Sequence, residues 1–89
     1  MVTPFSEEHL SSIEVIRTFV PSVNNEELKW HWDEENRRVE FLNENDWEFQ
    51  LDNELPRKCV GEVFIEAGVW HRVIKGTSDL RVKITKTRK

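Results

Sequence analysis

Gly61-Glu62-Val63-Phe64-Ile65-Glu66-Ala67-Gly68-Val69-Trp70-His71-Arg72-Val73 is the stretch that decides how this chain of 89 residues folds. The apolar run Val63-Phe64-Ile65 meets a tight Glu66-Ala67-Gly68 corner, and a second β-prone run leaves that corner carrying a histidine. Runs of β-branched and aromatic residues on either side of a glycine turn read as two short strands. A strand can hold His71 so that it points into a sheet-lined cavity.

Outward from this corner the same period of two continues. Glu14 to Val20 reads as a strand stopped by Pro21 and the polar turn at residues 22–25. In Leu28-Lys29-Trp30-His31-Trp32-Asp33, Leu28, Trp30 and Trp32 alternate with Lys29, His31 and Asp33. Arg38 to Leu42 follows, with Arg38, Glu40 and Leu42 on one face and Val39 and Phe41 on the other. Asn43-Glu44-Asn45-Asp46 supplies a hairpin turn into a strand from Trp47 to Asp52. Gly76-Thr77-Ser78-Asp79 turns the chain into a last strand from Leu80. Only Ser6-Glu7-Glu8-His9-Leu10 departs from this pattern. Ser6 reads as a helix N-cap with acids in the first turn, so a short helix is expected there, with His9 on its solvated surface. About seven or eight short strands with turn residues between them predict an all-β antiparallel barrel or sandwich.

Composition narrows the function classes. A chain this short is one domain, residues 1–89, and it buries only roughly 60–65% of its unfolded surface. Four Trp and five Phe, with no Tyr, must therefore supply much of a small core, and Trp47, Phe49 and Leu51 are its expected members. The single cysteine, Cys59, excludes an internal disulfide and fits a reducing compartment, with the thiol at a strand edge or in the core. No signal-like segment is visible before Ser12 and no apolar run approaches a membrane span, so a soluble cytoplasmic protein is expected.

Net charge is −4, and the basic residues Arg81, Lys83, Lys86, Arg88 and Lys89 stand together near the end, leaving an acidic remainder. Their alternation with Leu80, Val82 and Ile84 describes the wet face of a strand, not a nucleic-acid surface. The acidic pairs Glu26-Glu27 and Glu34-Glu35 fall in turns, where solvation explains them. Glycine-rich phosphate loops, zinc-type cysteine clusters and nucleophile elbows are absent from the sequence.

The corner stretch resembles the second conserved motif of the cupins. That motif is a Gly-Asp opening, an apolar run, Ile-Pro-x-Gly, two further residues and a metal-binding histidine. Glu66 stands at the proline position, and the spacing from Gly61 is one residue short. Gly76 to Val82 looks like the family's final turn and strand. The first cupin motif, a His-x-His pair followed by Glu, is matched at His31. Asp33 holds the place of the second histidine and Arg38 the place of the glutamate, while Val39 to Glu44 resembles the closing strand and turn. The resemblance spans about residues 28 to 85 and implies a small single-domain cupin, an RmlC-like jelly roll.

Residues two apart on a strand point the same way, so His31 and Asp33 can present a nitrogen and an oxygen to one point. His71 from a facing strand would complete a two-His-one-carboxylate set for a divalent Fe, Mn, Ni or Zn, with Glu40 as a further oxygen ligand. Arg38 opposes this arrangement, because a guanidinium cannot ligate and repels a cation. Paired with Asp33, it would make a metal-free polar network, or with the histidines a site for a small anionic ligand.

Two further function classes stand beside a small-molecule-binding cupin. One is a metal-dependent oxygenase or isomerase built on the same ligands. The other is a non-catalytic interaction module. If His31, Asp33 and His71 face inward, then Trp30, Trp32 and Trp70 face outward as an apolar patch. The patch is expected to be covered by the segment from Ile13 to Val20 or, as a homodimer interface, by a second subunit.

Overall fold

The computed structural model describes residues 5–22 and 28–87. The turn expected at residues 22–25, the acidic pair Glu26-Glu27 and the terminal Arg88 and Lys89 fall wholly or partly outside these residues. Eight strands make the fold: β1 (Phe5–His9), β2 (Glu14–Phe19), β3 (Asn36–Phe41), β4 (Glu48–Leu51), β5 (Arg57–Lys58), β6 (Glu62–Ile65), β7 (His71–Ile74) and β8 (Leu80–Thr87). They form a five-stranded sheet in the order β1-β2-β8-β3-β6 and a three-stranded sheet in the order β5-β4-β7, and every pairing is antiparallel. No helix among the described residues is long and apolar enough to cross a membrane.

Alternation explains which side chains meet. Val63 and Ile65 of β6 are buried while Phe64 is exposed. Val39 on β3, Val82 and Ile84 on β8 and Val15 on β2 continue that buried face across the larger sheet. Phe49 of β4 faces them from the smaller sheet, beside Trp47 and Cys59. Fully burying an aliphatic or aromatic side chain contributes about 1.5–3 kcal/mol, so this shared layer is what holds the two sheets together.

The corner between β6 and β7 carries the chain from one sheet to the other. Gly68 takes φ 82°, a left-handed conformation that favours glycine, and Val69 N–H donates to the Glu66 carbonyl at 3.2 Å. A second corner is tied by a side chain. Asp46 accepts hydrogen bonds from the Thr77 amide at 2.8 Å, the Thr77 hydroxyl and the Ser78 amide. Gly76 lies so close to Asp46 that an added Cβ would come within 2.8 Å of the Asp46 carbonyl carbon, which excludes any side chain there.

Two expectations are corrected. Ser6 to Leu10 is not a helix: Phe5–His9 is a strand paired in register with β2. The local capping signal at Ser6 loses to cross-strand partners. Phe5 packs edge-on against Phe19 with centroids 5.4 Å apart, and Glu7 pairs with Arg17 opposite it. His9 is solvated, as expected, but on a strand. Leu28 to Asp33 is not a strand either. It joins the smaller sheet through one bridge, His31 to His71, and Leu28 packs inward while Trp30 and Trp32 are exposed.

Candidate metal centre

That bridge is where the site begins. His31 N–H donates to the His71 carbonyl at 3.0 Å, and His71 N–H returns a bond to the His31 carbonyl at 2.9 Å. Two residues on, the Gly68 N–H donates to the Asp33 carbonyl at 2.8 Å. Three main-chain bonds therefore fasten residues 31–33 against the corner and the first residue of β7. The result brings His31, Asp33 and His71 together, with a ligating atom of each within 4.8 Å of the others.

Both imidazoles are set in the same way. His31 Nδ1 lies 3.1 Å from the Lys29 carbonyl, and His71 Nδ1 lies 2.9 Å from the Val69 carbonyl, each two residues upstream. A carbonyl oxygen can only accept, so in both rings Nδ1 carries the proton and Nε2 of the neutral ring bears a lone pair. Backbone carbonyls hold metal-binding histidines in this manner in many sites. The rings meet edge to face with centroids 4.2 Å apart, and Phe49 closes the far side of His71 at 6.0 Å.

Asp33 sits between opposing demands. Its Oδ1 faces Arg37 Nη2 at 3.3 Å, while Arg37 Nε donates to Glu35 at 2.8 Å. Its Oδ2 is buried and lies 3.3 Å from His71 Nε2, a contact that is a hydrogen bond only when that nitrogen carries a proton, and no other group partners it. Burial alone would raise the Asp33 carboxyl, but contact with His71, the Arg37 guanidinium and the nearby His31 together hold it below its ordinary value. His31 is pushed down, first by desolvation where its ring edge abuts His71. The Lys29 carbonyl opposes that shift, and neighbouring positive charge adds to it. Both shifts favour the forms that a metal requires, an ionised carboxylate and a neutral imidazole.

A cavity of about 360 Å³ adjoins these groups. Its walls include Phe19, Phe41, Phe49, Val82 and Ile84, and its charged lining is Arg17, Lys29, Asp33, Arg37 and Arg72.

The expectations for Arg38 and Glu40 are corrected. Both are exposed and lie on the outer face of β3, because Arg37, Val39 and Phe41 take the inward positions of that strand. The guanidinium beside Asp33 belongs to Arg37. Motif spacing pointed to residue 38, whereas extending the Val39–Phe41 alternation backward points to 37. Trp30, Trp32 and Trp70 are exposed on the outside, and the segment from Ile13 to Val20 lies between β1 and β8 instead of over them. Cys59 is buried, and burial, with the Glu48 carboxylate adding to it, pushes its thiol up to about 12.

No family model matches the sequence, and neither does any curated protein. Solved structures do resemble the fold. A crystal structure of a cupin domain from Bordetella pertussis Tohama I superposes with a TM-score of 0.61 at 15% identity, covering 98% of both chains. Hydroxypropylphosphonic acid epoxidase from S. wedmorenis gives a TM-score of 0.56 at 17% identity, covering 98% of this chain and 58% of that one. The architecture is that of a small cupin, and its His31, Asp33 and His71 could hold a metal.

Proposed function

We propose that this cupin-fold chain is a metal-binding protein that holds one divalent ion at His31 Nε2, Asp33 Oδ2 and His71 Nε2 and admits a small ligand to the adjoining cavity. One observation carries the reading. His71 Nε2 and Asp33 Oδ2 stand 3.3 Å apart, and with Nδ1 protonated in a neutral ring both atoms are acceptors. Two lone pairs facing each other in a buried place call for positive charge between them. A proton on His71 or a metal ion meets that need, and only the ion also engages the matching lone pair of His31.

The distances suit this use. Ligand atoms on one such ion stand roughly 3–3.5 Å apart, given bonds of about 2.0–2.2 Å, so small side-chain rotations close the set. Arg37 occupies Oδ1 and leaves Oδ2 to the ion, which fixes the carboxylate's orientation. Three ligands leave coordination positions open, and a bound ion would supply Lewis-acid polarisation of whatever enters them.

Elemental analysis of protein purified without a metal-affinity tag tests the proposal. Stoichiometric Fe, Mn, Ni or Zn is expected in the wild type and none in His71→Ala or His31→Ala. His31 is exposed, so the second variant keeps its fold if the first does not. Wild-type protein that takes up none of these ions on dialysis overturns the reading.

Homodimerisation is a second reading, supported by three exposed indoles. Trp30, Trp32 and Trp70 are 37%, 48% and 46% accessible on so small a surface. Light scattering at micromolar concentration is expected to give a dimer mass that falls to a monomer in Trp32→Ser; a monomeric wild type rejects it.

A further inference from the structure

The cavity carries positive charge that the proposed ion does not use. Four of its charged lining residues are cationic, Arg17, Lys29, Arg37 and Arg72, against the single anion Asp33, in a protein whose net charge is −4. Arg37 is engaged by Asp33 and Glu35.

Arg17 is held differently. It occupies an inward position on β2 between the buried Val15 and Phe19, where packing alone would favour an aliphatic residue. Glu7, opposite it on β1, takes its Nε, and its guanidinium lies over the Phe5 ring at 4.2 Å. Among the described residues, Glu7 is its one carboxylate partner. Arg72 repeats the arrangement: its Nε donates to Gln50 at 2.9 Å and its guanidinium stacks over Trp30 at 4.8 Å. An arginine clamped at Nε and braced on a ring has already lost its rotamer freedom. Its Nη edge then stands ready as a fork for an oxyanion. Apart from His31 and His71 the remaining walls are apolar, and the volume suits a small organic molecule.

We propose that the cavity, taken as the ligand chamber of the metal centre above, binds a small organic carboxylate with an apolar body. The head group meets Arg17, with Arg72 and Lys29 adding to the field, and the body lies against Phe19, Phe41 and Phe49. Selectivity for an anion over its neutral isostere follows from the Nη edges of Arg17 and Arg72, to which a carboxylate adds charge-assisted hydrogen bonds that a neutral head cannot match.

Amide NMR titration of chelator-treated, isotope-labelled protein with benzoate and with benzamide tests this independently of the ion. Benzoate is expected to bind at least about tenfold tighter than benzamide, since hydrogen bonds to charged groups contribute more than neutral ones. Arg17→Gln should bring benzoate down to the benzamide level, and Arg72→Gln should remove a smaller part. Arg17→Lys, which keeps the charge and loses the fork, should fall between and guards against a misfolded Gln variant. Metal uptake by these variants should be unchanged, whereas His31→Ala should lose metal and keep the benzoate preference; failure of metal uptake alone therefore leaves the carboxylate assignment standing. Equal binding of benzoate and benzamide, no response to benzoate, or undiminished binding in both Gln variants overturns the proposal. Benzoate binding that appears only after a metal is added overturns the Arg17 assignment. Inorganic phosphate binding as tightly as benzoate overturns the apolar body.

Discussion

Where β4 begins, Trp47, Leu80 and Cys59 are almost wholly enclosed, the indole N–H reaches the Ser78 carbonyl at 2.6 Å, and Asp46 satisfies the neighbouring amides. Where β7 begins, Arg37, Asp33 and His71 are also buried or nearly so, yet one carboxylate oxygen lacks a hydrogen-bond partner and a cavity lies beside it. Both ends set polar groups beside the core, but with opposite bookkeeping. At the Trp47 end every named donor meets an acceptor, as a scaffold requires. At the His71 end a buried carboxylate oxygen faces an imidazole nitrogen and has no other partner, an arrangement that a proton or a cation between the two completes.

The contrast can be broken most forcefully at Trp47. Trp47→Ala should cost about 3–5 kcal/mol in urea unfolding, a large share of the roughly 5–15 kcal/mol available to a small domain. The folded fraction should still take up metal. A loss under about 1 kcal/mol would mean that the filled end is not the scaffold.

Asp33→Asn probes the other end and should separate stability from function. The Asn oxygen still accepts from Arg37, while its amide now donates to His71 Nε2. Stability without metal should stay within about 1 kcal/mol of wild type, and metal content should be lost. A large destabilisation would show that the unpartnered oxygen is structural.

A smaller effect is expected at Asp46, whose carboxyl is held at about 2, below its ordinary 3.8, chiefly by the Thr77 hydroxyl and amide. A depressed carboxyl stabilises the fold above its unfolded value and loses that contribution as pH falls through the folded one. Asp46→Asn should therefore lower Tm at neutral pH, with the gap closing as pH falls from about 4 to about 2. A gap that persists in acid would break the assignment.

The mildest test is chemical. With its thiol pushed up to about 12 by burial, Cys59 should resist iodoacetamide in the native protein and react on unfolding. Rapid native alkylation would show that the filled end opens.

Strands, core aromatics and candidate ligands were legible in the chain. The alternation Val63-x-Ile65 and the Ala67-Gly68 corner located two short strands and the turn between them, and Trp47 and Phe49 stood out as core. The three candidate ligands, His31, Asp33 and His71, were named from the resemblance to the two cupin motifs. What failed depended on distant partners. Ser6 carries a sound local helix signal, but Phe5–His9 is a strand because β2 pairs with it. Residues 28–33 alternate like a strand yet have one bridge to offer. Arg38 was chosen over Arg37 by counting from a motif, although Val39 and Phe41 already set the inward parity of β3. Arg17 and Arg72 gave no signal, since nothing in a sequence shows which arginine is clamped by a carboxylate or amide and braced on a ring.

The reciprocal backbone pair between His31 and His71 has an evolutionary corollary. Main-chain atoms fix where the two side chains emerge, so the identity of either side chain is free to change without moving the other. Substituting a thiolate or a carboxylate at position 31 would alter which ion is preferred while the framework stayed put. A socket of this kind lets a lineage exchange its chemistry one residue at a time.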